Sequence, residues 1–326
     1  MKTFNENLEK IPYEKSPISI KKQVENLKSR GLIIDDENMT ASYLSNISYY
    51  RLRAYTYSFQ NNTDPEKLHE FIRKDIHFKD IIDLYRFDRR LRILVFNALE
   101  KIEVALRAKI TQRYGEATND SHWYQNESLF KDDAYRKDGQ HVFKYNTLME
   151  DIEEEVARSE EEFIKHYYVR YSEPDMPPSW MTLEVVSFGS LSRMYELLVK
   201  DDKKKAVAKE LGLNKVDILE NWMHAFSNLR NCCAHHSRIW NRRFIVNMLL
   251  PTNADYTFLD RNTIATTKRN KLFAYLCCIK YVLDIISPEN DFYTNLQILI
   301  KKGGSLLSLK DMGFPDNWRH LDIWKE

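Results

Sequence analysis

The sequence predicts an all-α fold, and three observations carry that reading. Gly and Pro are scarce, 8 and 9 in 326 residues, so turn signals are few and long helices are the economical arrangement. Apolar residues recur at helical spacing, most clearly over residues 78–114, where Ile81, Leu84, Leu91, Val95, Ala98, Ile102, Ala105 and Leu106 share one side. No persuasive strand alternation, internal repeat or low-complexity segment competes with that period.

The elements follow in order. Ser16-Pro17 reads as the cap and first residue of a helix whose Ile20, Val24 and Leu27 share a face, with Gly31 as its stop. A second helical region covers residues 39–59. Its tyrosines interleave with Arg51 and Arg53, a pattern that can stack bases and grip phosphates. Tyr50, Ala54 and Tyr57 also fall on one helical face, as a core face would, and core packing is the favoured reading there. Residues 61–65 read as a loop. The 78–114 helix would be a rod of roughly 50 Å, long enough for a kink or break. On it, Asp88 falls on the apolar side, where a carboxylate needs a partner; Arg92, one turn on, is the candidate. Glu103 lies at the edge of the stripe with Arg107 one turn further, either as an ion pair or to orient a catalytic group.

Residues 115–139 form a tyrosine- and asparagine-rich connector. A helix over 142–168 then turns Leu148, Ile152, Val156 and Phe163 inward. Residues 174–179 break the pattern, and a helix over 180–199 is interrupted at Gly189. A lysine-rich helix leads to Leu211, another helix starts near residue 216, 252–267 is an irregular loop, and helices cover 268–286 and 289–301. The chain therefore divides into an N-terminal helical region (1–74), a helical core (75–300) and a C-terminal tail (301–326).

Composition narrows the function classes. No apolar run approaches membrane-spanning length and the first residues carry no apolar core of a signal peptide, so a cytoplasmic protein with no membrane partner is expected. The four cysteines sit in two adjacent pairs, Cys232-Cys233 and Cys277-Cys278, which match no zinc-ribbon spacing. Cys232 and His236 could share a helix face toward a metal, but small buried side chains are the favoured reading, and no metal or cofactor is expected. The net charge is only +1, so distribution matters more than balance. Residues 150–162 hold eight acids against Arg158 alone, a solvated face. Basic groups gather at Arg86, Arg89, Arg90 and Arg92, at Lys203-Lys204-Lys205, and at Arg238, Arg242 and Arg243. With Arg51 and Arg53, the residues Arg86, Arg90, Lys203, Lys204, Lys205, Arg238, Arg242 and Arg243 are the candidate phosphate contacts for RNA.

The stretch Arg230-Asn231-Cys232-Cys233-Ala234-His235-His236 carries the chemistry. It places a permanent cation, an amide and two imidazoles within two helical turns. Leu219, Trp222, Phe226, Leu229 and Cys233 form the apolar side of its helix; Arg230, Asn231 and His235 lie elsewhere on the wheel. Arg230 and His235 are ~140° apart on an unbent helix, so either Arg230 reaches round, the helix ends or bends here, or a second chain completes the site. His236 points elsewhere and is secondary.

Taken with Tyr50-Arg-Leu-Arg-Ala-Tyr55, Leu84-Tyr-Arg-Phe-Asp-Arg-Arg-Leu-Arg92, Ile102-Glu-Val-Ala-Leu-Arg107, Pro178-Ser-Trp-Met181, Phe188-Gly189 and Met312-Gly-Phe-Pro-Asp-Asn-Trp318, the motif resembles that of Abi-like (AbiD/AbiF-type) abortive-infection proteins, a branch of the HEPN superfamily. The resemblance covers most of the chain. It implies a HEPN-like helical bundle with an N-terminal helical extension, and a metal-independent endoribonuclease whose Arg-x4–6-His motifs face each other across a homodimer. Arg230 and His235 match the motif's ends, Asn231 its polar second position, and Glu103, less securely, a helix carboxylate near the site. The implied setting is phage defence, toxin–antitoxin-like, with RNA as substrate, no DNA specificity, and a structured noncoding RNA as a further partner. The rival reading is a non-catalytic RNA-binding regulator.

Overall fold

The computed structural model describes residues 12–137 and 140–325. The reading of the first residues as free of a signal peptide lies outside the described residues. The chain divides after Arg86 into two compact units.

In the first unit, α1 (Ile20–Ser29) begins later than the Ser16-Pro17 pair predicts, because the Ser19 hydroxyl takes the cap and accepts from the Lys22 N–H at 3.3 Å. Gly31, at φ +95°, ends it as expected. The single helix expected over 39–59 is two, α2 (Glu37–Ile47) and α3 (Tyr49–Thr56), followed by a 3₁₀ turn at Tyr57–Phe59. Ser48 makes the break with φ 72°, and its side chain then caps α3 by accepting from the Arg51 N–H at 3.3 Å. Leu52 and Tyr55 are buried, whereas Tyr50 is 84% and Tyr57 51% exposed. The core face assigned to Tyr50 and Tyr57 is thus the outer face of α3 and of the 3₁₀ turn after it.

Helix α4 (Phe78–Thr118) starts in the first unit and runs unbroken for 41 residues into the second. Its stripe is buried as the period requires, including Leu91, Val95, Ile102, Leu106 and Tyr114. In the connector after it the chain makes a two-stranded antiparallel hairpin, β1 (Ala134–Lys137) and β2 (Gln140–Phe143), with Ala134 opposite Phe143. The long helix expected next is α5 (Lys144–Ala157) and α6 (Glu162–Arg170). The intervening break shifts the helical phase, so Ile164 and Tyr167 are buried and Phe163 is only half-buried.

Helices α7 (Ser179–Val185) and α8 (Phe188–Leu197) follow. They separate at Ser187, which caps α8 by accepting from the Ser190 N–H at 3.1 Å; Gly189 lies inside α8 and is not the interruption. The remaining helices are α9 (Asp202–Lys209), α10 (Val216–Ala234), α11 (Arg261–Thr266), inside the expected loop, α12 (Leu272–Ile286) and α13 (Phe292–Gly303). The fold is all-α apart from the small hairpin. Every residue of α12 from Leu272 to Leu283 is buried, so this helix is the centre of the second unit, and α10 packs on it and on α8 and α9. Cys277 and Cys278 lie in it, and burial pushes both thiols well up. Residues after α13 fold back on the same unit: Phe273 and Phe314 rings lie 4.9 Å apart, and Trp318 and Trp324 are buried 5.7 Å from one another.

The turn that launches α10 depends on Gly212. Its φ is +63°, and a Cβ there would lie 2.4 Å from Tyr256 Cδ2 and 2.6 Å from the Tyr281 hydroxyl. Gly212→Ala is expected to cost about 2–3 kcal/mol from left-handed strain plus overpacking, measured by urea denaturation. An unchanged midpoint would show that the turn relaxes freely.

Candidate active site

Helix α10 buries Leu219, Trp222, Phe226, Leu229 and Cys233, the face its spacing predicts. It stops where the two imidazoles begin. The His235 N–H donates to the Asn231 carbonyl at 2.9 Å, and His236, at φ 57°, closes the end by donating to the Cys233 carbonyl at 3.1 Å. The Ser237 N–H reaches the Cys232 carbonyl at 2.8 Å. A histidine replaces the usual glycine in this left-handed position, one of the few residue types that tolerate it. His235 is therefore the last helical cap residue, with its ring exposed, and Asn231 is exposed one turn back.

Arg230 is positioned by α4. Its Nε lies 3.6 Å from Glu103 Oε2, and its guanidinium carbon stands 5.7 Å from the centroid of the Phe96 ring. Glu103 is buried and also accepts from Arg107, whose other arm donates to the Leu183 carbonyl. Two guanidiniums thus share one carboxylate, leaving one net positive charge at the group nearer solvent. The Arg230 side chain is 36% exposed, so that charge is offered outward. Of the four residues expected in the site, the structure brings Glu103 and Arg230 together. Arg230 comes within 3.5 Å of the Asn231 amide oxygen, the edge of hydrogen-bonding range. Among the described residues no hydrogen bond or ion pair joins Arg230 to His235. Arg107 pairs with Glu103 one turn on, as the sequence spacing places it, whereas Phe96 and the Leu183 carbonyl escape sequence reasoning.

The segment after the helix is tied to α4 by Asp88. Its carboxylate is wholly buried, pairs with Arg92 as expected, and accepts from the backbone N–H groups of Ile239 at 3.1 Å and Trp240 at 2.9 Å. Beyond that anchor, Phe244 N–H donates to the Asn270 carbonyl and Met248 N–H to the Arg269 carbonyl, both at 2.9 Å. These bonds lay the 268–271 loop beside Arg238 and Arg243. Burial, then Arg243, Lys268 and Arg238, hold the Lys271 ammonium below its ordinary value against an opposing Asp311. Lys268, Arg269 and Lys271 are basic groups near the motif that the sequence runs did not single out.

The other candidate phosphate contacts are scattered. Arg243, Arg90, Arg86, Arg51 and Lys205 are exposed, and Arg242, Arg238 and Arg53 half-buried. Arg86 is held by the Tyr43 hydroxyl and by Asp83 at 3.3 Å, Arg53 lies 2.9 Å from His69 Nε2, and Lys203 and Lys205 pair with Asp201 and Asp202. Lys204 is a correction. It is fully buried, donating to the carbonyls of Glu196 at 3.0 Å and Leu198 at 2.8 Å and pairing with Glu220 at 2.5 Å. Burial pulls its ammonium down to about 8 despite Glu220, so it is a structural cation and no surface contact.

Among the described residues, no group of three or more His, Cys, Asp and Glu side chains is placed to hold a metal ion, and no helix is long and apolar enough to cross a membrane. Cys233 is buried with its thiol pushed up to about 12, the behaviour of a core side chain.

The family described as Abi-like protein matches residues 42–241, well over half of the chain, from within α2 to just past the motif. The chain belongs to that family. Membership suggests a part in abortive infection, a defence against phage. Comparison with curated proteins and with solved structures found no match.

Proposed function

We propose that the protein is a metal-independent endoribonuclease of the HEPN superfamily, of the AbiD/AbiF type, acting on RNA in the cytoplasm during abortive infection. The observation that carries the reading is the held guanidinium of Arg230. Glu103 and Phe96 fix it while leaving it accessible, one and a half turns before a helix end that exposes His235.

In the proposed reaction the ribose 2′-oxygen attacks the adjacent phosphorus and the bond from phosphorus to the 5′-oxygen breaks. The products are a 2′,3′-cyclic phosphate and a 5′-hydroxyl. His235 accepts the 2′-hydroxyl proton, and a second imidazole, His235 of a like copy in a homodimer, gives the leaving oxygen its proton. Arg230 neutralises the phosphorane, and Asn231 fixes geometry. The separation of Arg230 and His235 within one chain favours such pairing. Incubating purified protein with RNA in chelator and mapping the termini tests this directly. Cyclic phosphate and 5′-hydroxyl ends are expected, with DNA untouched. Products bearing 3′-hydroxyl ends, or cleavage abolished by chelator, would refute the mechanism.

Glu103 acts through Arg230, as a positioning residue. Glu103→Gln is expected to lower kcat by about ten- to a hundredfold with KM little changed, since an ångström of misplacement costs that much. A loss confined to KM would instead make it part of substrate binding. The same separation also suits a second reading, RNA held without cleavage, controlled by a noncoding RNA. Under it, His235→Ala would retain both binding and toxicity.

A further inference from the structure

We propose that the outer face of α3 binds unpaired RNA, with the Tyr50 and Tyr57 rings stacking bases and Arg53, Arg51 and Arg30 gripping the phosphates between them. The placement lies wholly within the first unit. Tyr50 and Tyr57 are two turns apart, so on a helix they stand ~20° from one another and about 10 Å apart along the axis, a span suited to bases of a splayed single strand. Arg53 falls between them on the same side, while Leu52 and Tyr55 are buried on the other. Large rings at 84% and 51% exposure lose apolar contact with water only when something covers them. On α2 and α3 two other tyrosines are engaged: Tyr49 accepts from Arg30, and Tyr43 accepts from Arg86, whose guanidinium lies over its ring at 5.7 Å.

The charge on this surface selects a polyanion. Arg53 Nη2 donates to His69 Nε2 at 2.9 Å, which fixes the ring as an acceptor on that side. Burial first, then Arg53, Arg30 and Lys15, hold this imidazole below its ordinary value. Aromatic faces interleaved with guanidiniums recognise single strands, because every base has a stackable face, and they reject duplex, whose bases are already stacked. A membrane surface would share the cations, and the vesicle arm of the test below separates it from RNA.

The inference takes RNA as the polymer from the ribonuclease reading, but not its chemistry, and the test separates the two. Full-length protein carrying His235→Ala, so that RNA stays intact, is titrated against a fluorescein-labelled single-stranded 12-mer, the matching duplex, and vesicles containing phosphatidylglycerol. Tyr50→Ala/Tyr57→Ala in that background is expected to weaken single-strand affinity by about 10- to 100-fold. Tyr50→Phe/Tyr57→Phe should retain it, because stacking needs the ring and not the hydroxyl. Thermal melting of both variants confirms the fold. Equal affinity of the alanine variant and its parent, no preference for single strand over duplex, or tyrosine-dependent binding to vesicles instead of RNA would overturn the proposal. Ring-dependent single-strand binding, together with no cleavage by the chain that keeps His235, would uphold it while sinking the nuclease.

Discussion

His235→Ala is expected to reduce RNA cleavage by roughly a hundred- to ten-thousand-fold while leaving RNA affinity nearly unchanged, measured by single-turnover cleavage and by equilibrium binding. The ring is exposed at the end of α10, and the bonds that close the helix there run through backbone N–H groups that alanine keeps, so stability should move by no more than about 0.5 kcal/mol. Arg230→Ala should be similarly damaging to kcat, by about a hundred- to a thousandfold, as removal of a charge that meets the phosphorane. Glu103 keeps Arg107 as its partner in that variant, so the buried carboxylate is not stranded. Arg230→Lys should recover little, because a point charge on a flexible stem lacks the planar fork that both Glu103 and a phosphate address. The double variant should be little worse than either single one, as groups acting in one step are non-additive. If His235→Ala cleaves at the parent rate, the imidazole takes no part and the mechanism fails with it. Mixing Arg230→Ala with His235→Ala protein then addresses the homodimer: the mixed pair holds one His235, so a reaction that uses two imidazoles should stay slow, and cleavage restored to the parent rate would show that one imidazole suffices.

Much of this geometry was legible in the chain, and the misses have definite causes. The buried face of α10 followed from its period, and so did the angular separation of Arg230 from His235. Asp88 and Arg92 could be paired from sequence because a carboxylate on an apolar stripe demands a nearby cation. That Asp88 also holds Ile239 and Trp240 was not legible, because those partners are more than 150 residues away. Periodicity states which residues share a face but not which face turns inward, and this misplaced Tyr50 and Tyr57. The lysine run 203–205 looked like one charged surface, yet consecutive helical residues point about 100° apart, and the middle one points into the core. Ser48 broke a helix with neither Gly nor Pro present, through a backbone angle that composition does not announce. Phe96 failed for a related reason: an aromatic on a long helix is read as core unless a distant cation is known to sit over it.

The Asp88 carboxylate is where fold and site meet, and its removal should be strongly destabilising. Asp88→Ala withdraws an acceptor from two buried backbone N–H groups and takes the carboxylate from a guanidinium that stays buried, at 4% exposure. Breaking one side of a buried ion pair costs about 3–5 kcal/mol, and orphaned donors add to it. A fall of that size in unfolding free energy is expected by urea denaturation, together with loss of cleavage, since the turn leaving His235 loses its tether to α4. Activity and stability are separable by a second change. Asp88→Ala/Arg92→Met removes both halves of the buried pair and should regain about half of the lost stability, because swapping a whole buried pair for apolar bulk is far cheaper than halving it. It should regain little cleavage, because Ile239 and Trp240 still lack their acceptor. Full rescue of cleavage by the double variant would show that only the ion pair mattered and that the post-motif turn holds its place unaided.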